Sequence, residues 1–190
     1  MKNIIIFFCL LICFSVQGQT NKNSECTNIY LIRHAEKDRT NKNNTNPHLN
    51  SLGIKRSLKW KEFFKNIDFD IIYSTNYNRT LETIKPFSED GTKLVIYKPS
   101  KINYNKFISK NKGKTILVVG HSNTIPTFTN NILNKNIYNN IEDNNNSNLY
   151  VVSICDGTGS QNSLYFGRSN SHRCIYFSNA TDPNQCISVH

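Results

Sequence analysis

Apolar and polar positions along this chain fall into two alternating regimes. Five short runs rich in β-branched and aliphatic residues stand out: NIYLI at 28–32, FDIIY at 69–73, KLVIY at 93–97, TILVV at 115–119 and LYVVSI at 149–154. Their length and largely apolar, β-rich character predict buried strands. Between them lie segments with apolar residues at helical spacing. The first runs over 52–67, with Ser51 as cap, Asp68 as stop, and an apolar face of Ile54, Leu58, Phe63 and Ile67 flanked by Trp60 and Phe64. A second helix is expected over 80–85, stopped near Pro86, a short amphipathic one near 102–109, and a fourth over 123–133 with Pro126 in its first turn. Strands alternating with helices imply parallel βαβ units, hence a three-layer α/β/α sandwich with a mostly parallel central sheet. Two Asn-rich stretches, 37–50 and the one ending at Asn148, read as loops, more readily solvated than functional. Past Ile154 the glycines and many Ser and Asn weaken every periodic signal, so 155–190 is expected to be a separate tail of uncertain structure, with room for hairpin strands.

The N-terminal eighteen residues change the picture of where this fold works. One Lys, an apolar run from Ile4 to Phe14 and then small and polar residues match the layout of a secretory signal. The run is shorter than the roughly 20 residues a membrane span needs. The expectation is therefore a signal peptide over 1–18, a domain over 19–154, and an exported, periplasmic or secreted protein with no stable membrane anchor after cleavage. Bulky Ile12 before Cys13 argues against lipidation. Removal of the leader takes Cys9 and Cys13, leaving Cys26, Cys155, Cys174 and Cys186, an even number that permits disulfides in three possible pairings or free thiols. The sequon Asn78-Arg79-Thr80 fits a bacterial exporter better than a glycosylating secretory route.

A formal net charge of +10 favours anionic partners. The basic residues are scattered rather than clustered, which argues against nucleic acid. No Cys or His spacing suggests a zinc site, and no cofactor is implied.

Candidate chemistry collects where the strands end. Arg33 and His34 follow the first strand, Arg79 follows the second by a few residues, and His121 follows TILVVG. In a parallel sheet such positions share one rim, the usual place for ligands. Two guanidiniums and two imidazoles suit a tetrahedral dianion, with Arg forks on its oxygens and a neutral His able to attack phosphorus. Adjacent Arg charges favour that neutral form. Singly, each of these residues has an ordinary structural explanation, and it is their coincidence that points to a site. His48, His172 and His190 lack such support and read as surface or loop residues, His48 near the pocket mouth at most.

The segments LIRHAEK at 31–37, YSTNYNRTLET at 73–83 and VVGHSNT at 118–124 resemble, in order and in position after their strands, the motifs of the histidine phosphatase superfamily, also called phosphoglycerate mutase-like. NPHLNSLG before the first helix resembles a further signature of that family. The resemblance covers roughly Ile29 to Ile154. It implies a phosphoglycerate mutase-like fold, a nucleophilic His34, phosphate binding by Arg33 and Arg79, a second histidine at His121, and a phosphatase without a metal. Its expected substrates are phosphorylated small molecules or phosphohistidine. The chain departs from the pattern in one respect: many members carry a Glu or Asp after the third strand, and YKPSKIN has no carboxylate. Relatives that cleave phosphohistidine are similar in lacking it. Glu36, Asp38, Glu82, Glu89, Glu142 and Asp143 are conceivable substitutes, none at a matching position, and a phosphate-binding protein without turnover is the alternative.

Overall fold

A computed structural model describes residues 26–88, 91–155, 174–175 and 187–188. The expected leader lies outside them. Five strands, β1 (Cys26–Arg33), β2 (Ile71–Ser74), β3 (Lys93–Ile96), β4 (Thr115–Gly120) and β5 (Leu149–Cys155), form one sheet in the order β3-β2-β4-β1-β5. All neighbours are parallel except β5, which runs antiparallel to β1 at an edge. Four helices join them: α1 (Ser51–Phe63), α2 (Asn78–Ser88), α3 (Tyr104–Lys110) and α4 (Thr124–Leu133). In the tail, β6 (Cys174–Ile175) and β7 (Ile187–Ser188) pair with each other, antiparallel.

The central strands β2 and β4 are buried on both faces, which is why they are nearly continuous apolar runs, whereas the edge strand β3 leaves Leu94 and Ile96 exposed. Ile29, Leu31, Ile71, Tyr73, Ile116 and Val118 point to one face, where Phe107 of α3 and Ile125 and Phe128 of α4 bury them. Their neighbours Ile32, Ile72, Leu117 and Val119 point to the other, against Trp60 of α1, Phe64 just beyond it, and Ile84 and Phe87 of α2. The period-two alternation thus assigns alternate residues to two cores, and the three-layer sandwich follows.

The docked face of α1 differs from the expected one. Gly53, Ser57 and Trp60 are buried, whereas Ile54 and Leu58 are 54% and 57% exposed. The cause is a close backbone approach. A Cβ built on Gly53 would lie 2.2 Å from the Glu36 carbonyl oxygen, so only glycine lets the first turn of α1 reach the segment that follows β1. That contact fixes the rotation of the helix and leaves Ile54 and Leu58 on its flank. Asn50, not Ser51, is the cap, its side chain accepting from the Gly53 N–H at 2.9 Å. Gly53→Ala is accordingly expected to destabilise the fold by about 1–3 kcal/mol, the usual cost of overpacking, and to lower activity by displacing residues 34–37. Urea melts read beside steady-state kinetics would check both; unchanged values would show that the contact relaxes freely.

Helix α2 also runs on past the expected stop, carrying Pro86 in its last turn. Only one helical N–H is lost there, and Phe87, buried against the core, holds the turn in place. A disulfide joins Cys26 and Cys155. These residues face each other in the β1–β5 register, the first of one strand opposite the last of the other.

Candidate active site

The carboxyl ends of the three central strands are pinned side by side. Arg33 pairs with Gly120 across β1 and β4, the His34 N–H donates to the Gly120 carbonyl at 2.9 Å, and the Thr75 N–H reaches the Val119 carbonyl at 3.4 Å. Residues that step off these ends are therefore neighbours whatever their separation in sequence. His34 and His121 stand edge to face with ring centroids 5.4 Å apart, Tyr77 meets His121 at 5.0 Å, and the Arg79 guanidinium lies over the Tyr77 ring at 4.4 Å. All four predicted site residues converge on this rim.

The His34 ring has a defined tautomer. Its Nδ1 lies 2.7 Å from the Ala35 carbonyl oxygen, which can only accept, so Nδ1 carries the proton and the neutral ring keeps its lone pair on Nε2. Burial pushes its pKa down to about 3, the Ala35 bond opposes this, and the charges of His121, Arg33 and Arg79 lower it further. His121 is lowered to about 4, first by burial and then by Arg79, Arg33 and Lys37. Its Nε2 lies 3.0 Å from the Thr75 hydroxyl.

Both rings thus stay neutral well below the pH at which an unfolded histidine takes up its proton. The stability this confers is complete above the unfolded value near 6.5 and is lost as pH falls toward the folded values. Between pH 6.5 and about 4 the unfolding free energy is expected to drop by up to about 1.4 kcal/mol per pH unit for each ring. Urea melts across that range would test this. A slope that persists in a His34→Asn, His121→Asn double variant would assign it to other groups.

The two arginines differ in their surroundings. Arg33, 2% exposed, donates from Nη1 toward the carbonyls of Glu142, Asp143 and Asn145 at 2.8, 3.1 and 3.0 Å, and from Nη2 to Asp143 Oδ1 at 3.0 Å. Its Nε is buried without a hydrogen-bond partner among the described residues. Arg79 enters with the first turn of α2 and has both Nε and Nη1 buried without a hydrogen-bond partner among the described residues. Buried donors left open in this way are rare and point to a missing acceptor. Three such N–H positions beside two neutral imidazoles make a receptor for a tetrahedral anion.

The structure adds residues that the sequence reading passed over. Thr83 accepts the Ala35 N–H at 2.9 Å and donates to the Arg79 carbonyl at 2.6 Å, tying the segment after β1 to α2. Asn146, 5% exposed, donates to the His34 carbonyl at 2.9 Å. The Asn-rich loop before β5, expected to be solvated, is thus a clamp on both Arg33 and His34. Thr75 and Thr83 lie within the YSTNYNRTLET segment, where a signal was available. Asn146 sits in a run of similar residues that offers none.

His48 is exposed and pairs with Glu82 and with Asn78 Nδ2, outside the convergence. His172, His190 and Glu89 lie outside the described residues. Among the described residues, no group of three or more His, Cys, Asp and Glu side chains is placed to hold a metal ion, and no helix is long and apolar enough to cross a membrane.

Comparison with known proteins places this geometry. Residues 29–100 match the family model of the histidine phosphatase superfamily (branch 1), a span that takes in Arg33, His34 and Arg79 and ends before His121. No curated protein matches the chain. Among solved structures, the SixA protein of Agrobacterium tumefaciens is similar over 67% of this chain and 92% of its own, with 16% identity and a TM-score of 0.53. A phosphoserine phosphatase of Entamoeba histolytica, solved with 3-phosphoglyceric acid, is similar over 68% of this chain and 95% of its own, with 20% identity and a TM-score of 0.50. A protein histidine phosphatase SixA solved with tungstate is similar over 73% and 93%, with 11% identity and a TM-score of 0.52. At these identities the likeness is one of fold.

Proposed function

We propose that this chain is a member of the histidine phosphatase superfamily, whose family model matches residues 29–100, and that it hydrolyses a phosphomonoester or a phosphohistidine through a phosphohistidine formed on His34. One observation carries the reading: N–H groups of Arg33 and Arg79 without partners among the described residues share the strand-end rim with a neutral His34 whose ring keeps its lone pair on Nε2. The arginines bind the phosphoryl oxygens and neutralise the charge that builds on them. Nε2 attacks phosphorus in line and the P–O or P–N bond to the leaving group breaks. His121, from the other side, donates to a phosphoryl oxygen. Water then displaces phosphate from His34, and the nitrogen recovers its lone pair. Two guanidiniums supply the positive charge, so the scheme assigns no role to a metal.

The neighbouring folds include proteins named as phosphatases of protein histidine, phosphoserine and glucosyl-3-phosphoglycerate, which supports phosphorylated small molecules or phosphohistidine as the substrate class here. Export with a cleaved leader over 1–18 belongs to the same proposal. It is supported by the Cys26–Cys155 disulfide, a bond that persists in oxidising compartments. The missing carboxylate after β3 favours one second reading, a phosphate-binding protein of this fold without turnover.

Incubation with a 32P-labelled phosphodonor, followed by denaturation, separates the two. The hydrolase reading expects a covalent label stable to base and labile to acid, together with turnover of p-nitrophenyl phosphate. Phosphate-dependent thermal stabilisation with neither label nor turnover would establish the binding reading instead.

A further inference from the structure

Hydrolysis of an alkyl phosphate asks for a proton on the departing oxygen, and four carboxylates near the pocket are already engaged. Glu36 holds Arg56 through both of its oxygens at 2.6–2.9 Å. Burial raises its pKa, but the Arg56 bond and charge outweigh that and leave it below the usual carboxylate range. Asp143 bridges Arg33 and Arg39, and those bonds lower it as well. Glu82 accepts the Leu49 N–H at 2.7 Å and pairs with His48. The Asp38 carboxylate faces solvent and accepts the Thr40 N–H. Glu36, Asp38 and Asp143, held ionised, have no proton to transfer, and Glu142 is exposed to solvent.

Lys37 is in the opposite situation. Its backbone is fixed by a bridge to Leu49 and by the Asn50 side chain, which donates to its carbonyl at 3.4 Å. Its ammonium has no hydrogen bond or ion pair among the described residues. It lines an open cleft of about 500 Å³ with Arg39, Asn50, Asp143 and Asn146, the same Asn146 that holds the His34 carbonyl. The charges that act on it come from several elements, Arg79 of α2, Arg33 of β1, Arg39 of its own loop and Asp143 of the loop before β5, and its own charge acts in turn on His121 beyond β4. Arg79, Arg33 and His121 are the groups assigned to the phosphoryl oxygens. Lys37 therefore shares its cleft with Asn146 and Asp143, which bond to His34 and Arg33 of the phosphoryl site. Burial first, then the charges of Arg79 and Arg39, lower its pKa below the ordinary lysine range, and Asp143 opposes them only in part.

We propose that Lys37 is the proton donor to the leaving oxygen, in place of the carboxylate that the segment after β3 lacks. This rests on the phosphohistidine reading above. As Nε2 of His34 bonds to phosphorus, the P–O bond breaks, its electron pair stays on the oxygen, and that oxygen takes a proton from the Lys37 ammonium. The neutral amine then accepts a proton from the water that attacks the phosphohistidine, which restores the ammonium. Recognition of a second anionic group on the substrate is the competing role for Lys37. The cleft disfavours it, because Glu36, Glu142 and Asp143 line the same walls and would face that anion.

Leaving-group dependence tests the assignment. Glycerol phosphate leaves as an alkoxide and needs the proton, whereas p-nitrophenyl phosphate leaves as a stabilised phenolate. For Lys37→Met, the ratio of kcat on glycerol phosphate to kcat on p-nitrophenyl phosphate is expected to fall by at least about 10²-fold, the lower end for a general acid. The alkaline limb of the wild-type pH profile on glycerol phosphate is expected to vanish in the variant. Lys37→Arg keeps the charge but holds its proton, so it is expected to resemble Lys37→Met. Rescue by arginine, or equal losses on both esters, would overturn the assignment and leave the hydrolase reading standing. A wild-type protein that turns over neither ester would overturn both.

Discussion

His34→Ala is expected to abolish the covalent label and to lower turnover of p-nitrophenyl phosphate by at least about 10³-fold, because removal of a nucleophile leaves only binding and charge stabilisation to act on water. The fold is expected to survive. His34 contributes its carbonyl to Asn146 and its N–H to Gly120 through the backbone, and both bonds remain when the ring is removed. The ring itself bonds only to the adjacent Ala35 carbonyl. Phosphate affinity should therefore persist in the variant, since Arg33 and Arg79 are untouched. A variant that keeps most of the wild-type turnover, measured beside a thermal melt that shows it folded, would remove His34 from the chemistry.

Arg79→Ala is expected to separate function from stability in the other direction. Its Nε and Nη1 are buried with no hydrogen-bond partner among the described residues, and burial first, then the like charge of Arg33, lower its pKa. Buried groups in that state weaken a fold. Truncation should leave the melting temperature unchanged or raised, while turnover falls by about 10²–10³-fold, the scale of one transition-state donor. Phosphate affinity, read by calorimetry, should fall with it. Arg33→Ala is not equivalent, because Arg33 also holds three carbonyls of the 142–145 loop. Its loss should cost stability as well as binding. A marked loss of stability in Arg79→Ala would show that this guanidinium has a structural role.

The convergence of Arg33, His34, Arg79 and His121 was legible because parallel strands present their carboxyl ends to one rim, and apolar runs such as TILVV locate those ends closely. The face of α1 was not legible. Apolar residues surround much of that helix, and the docked side is set by Gly53 meeting a carbonyl seventeen positions earlier, a contact with no periodic trace. The Cys26–Cys155 pairing depends on β5 turning antiparallel beside β1, which brings the first residue of one strand opposite the last of the other. Local composition carries no information on that turn. Asn146 was hidden for a related reason: in a polar run, the residue that becomes buried is selected by the shape of its surroundings.

The bond between Cys26 and Cys155, 129 positions apart, makes a covalent ring that contains every residue assigned to the pocket. A protease that severs any single peptide link inside the ring leaves the pieces in one molecule, and they part only when thiol is added. A nicked sample should migrate as one species without reductant and as two with it.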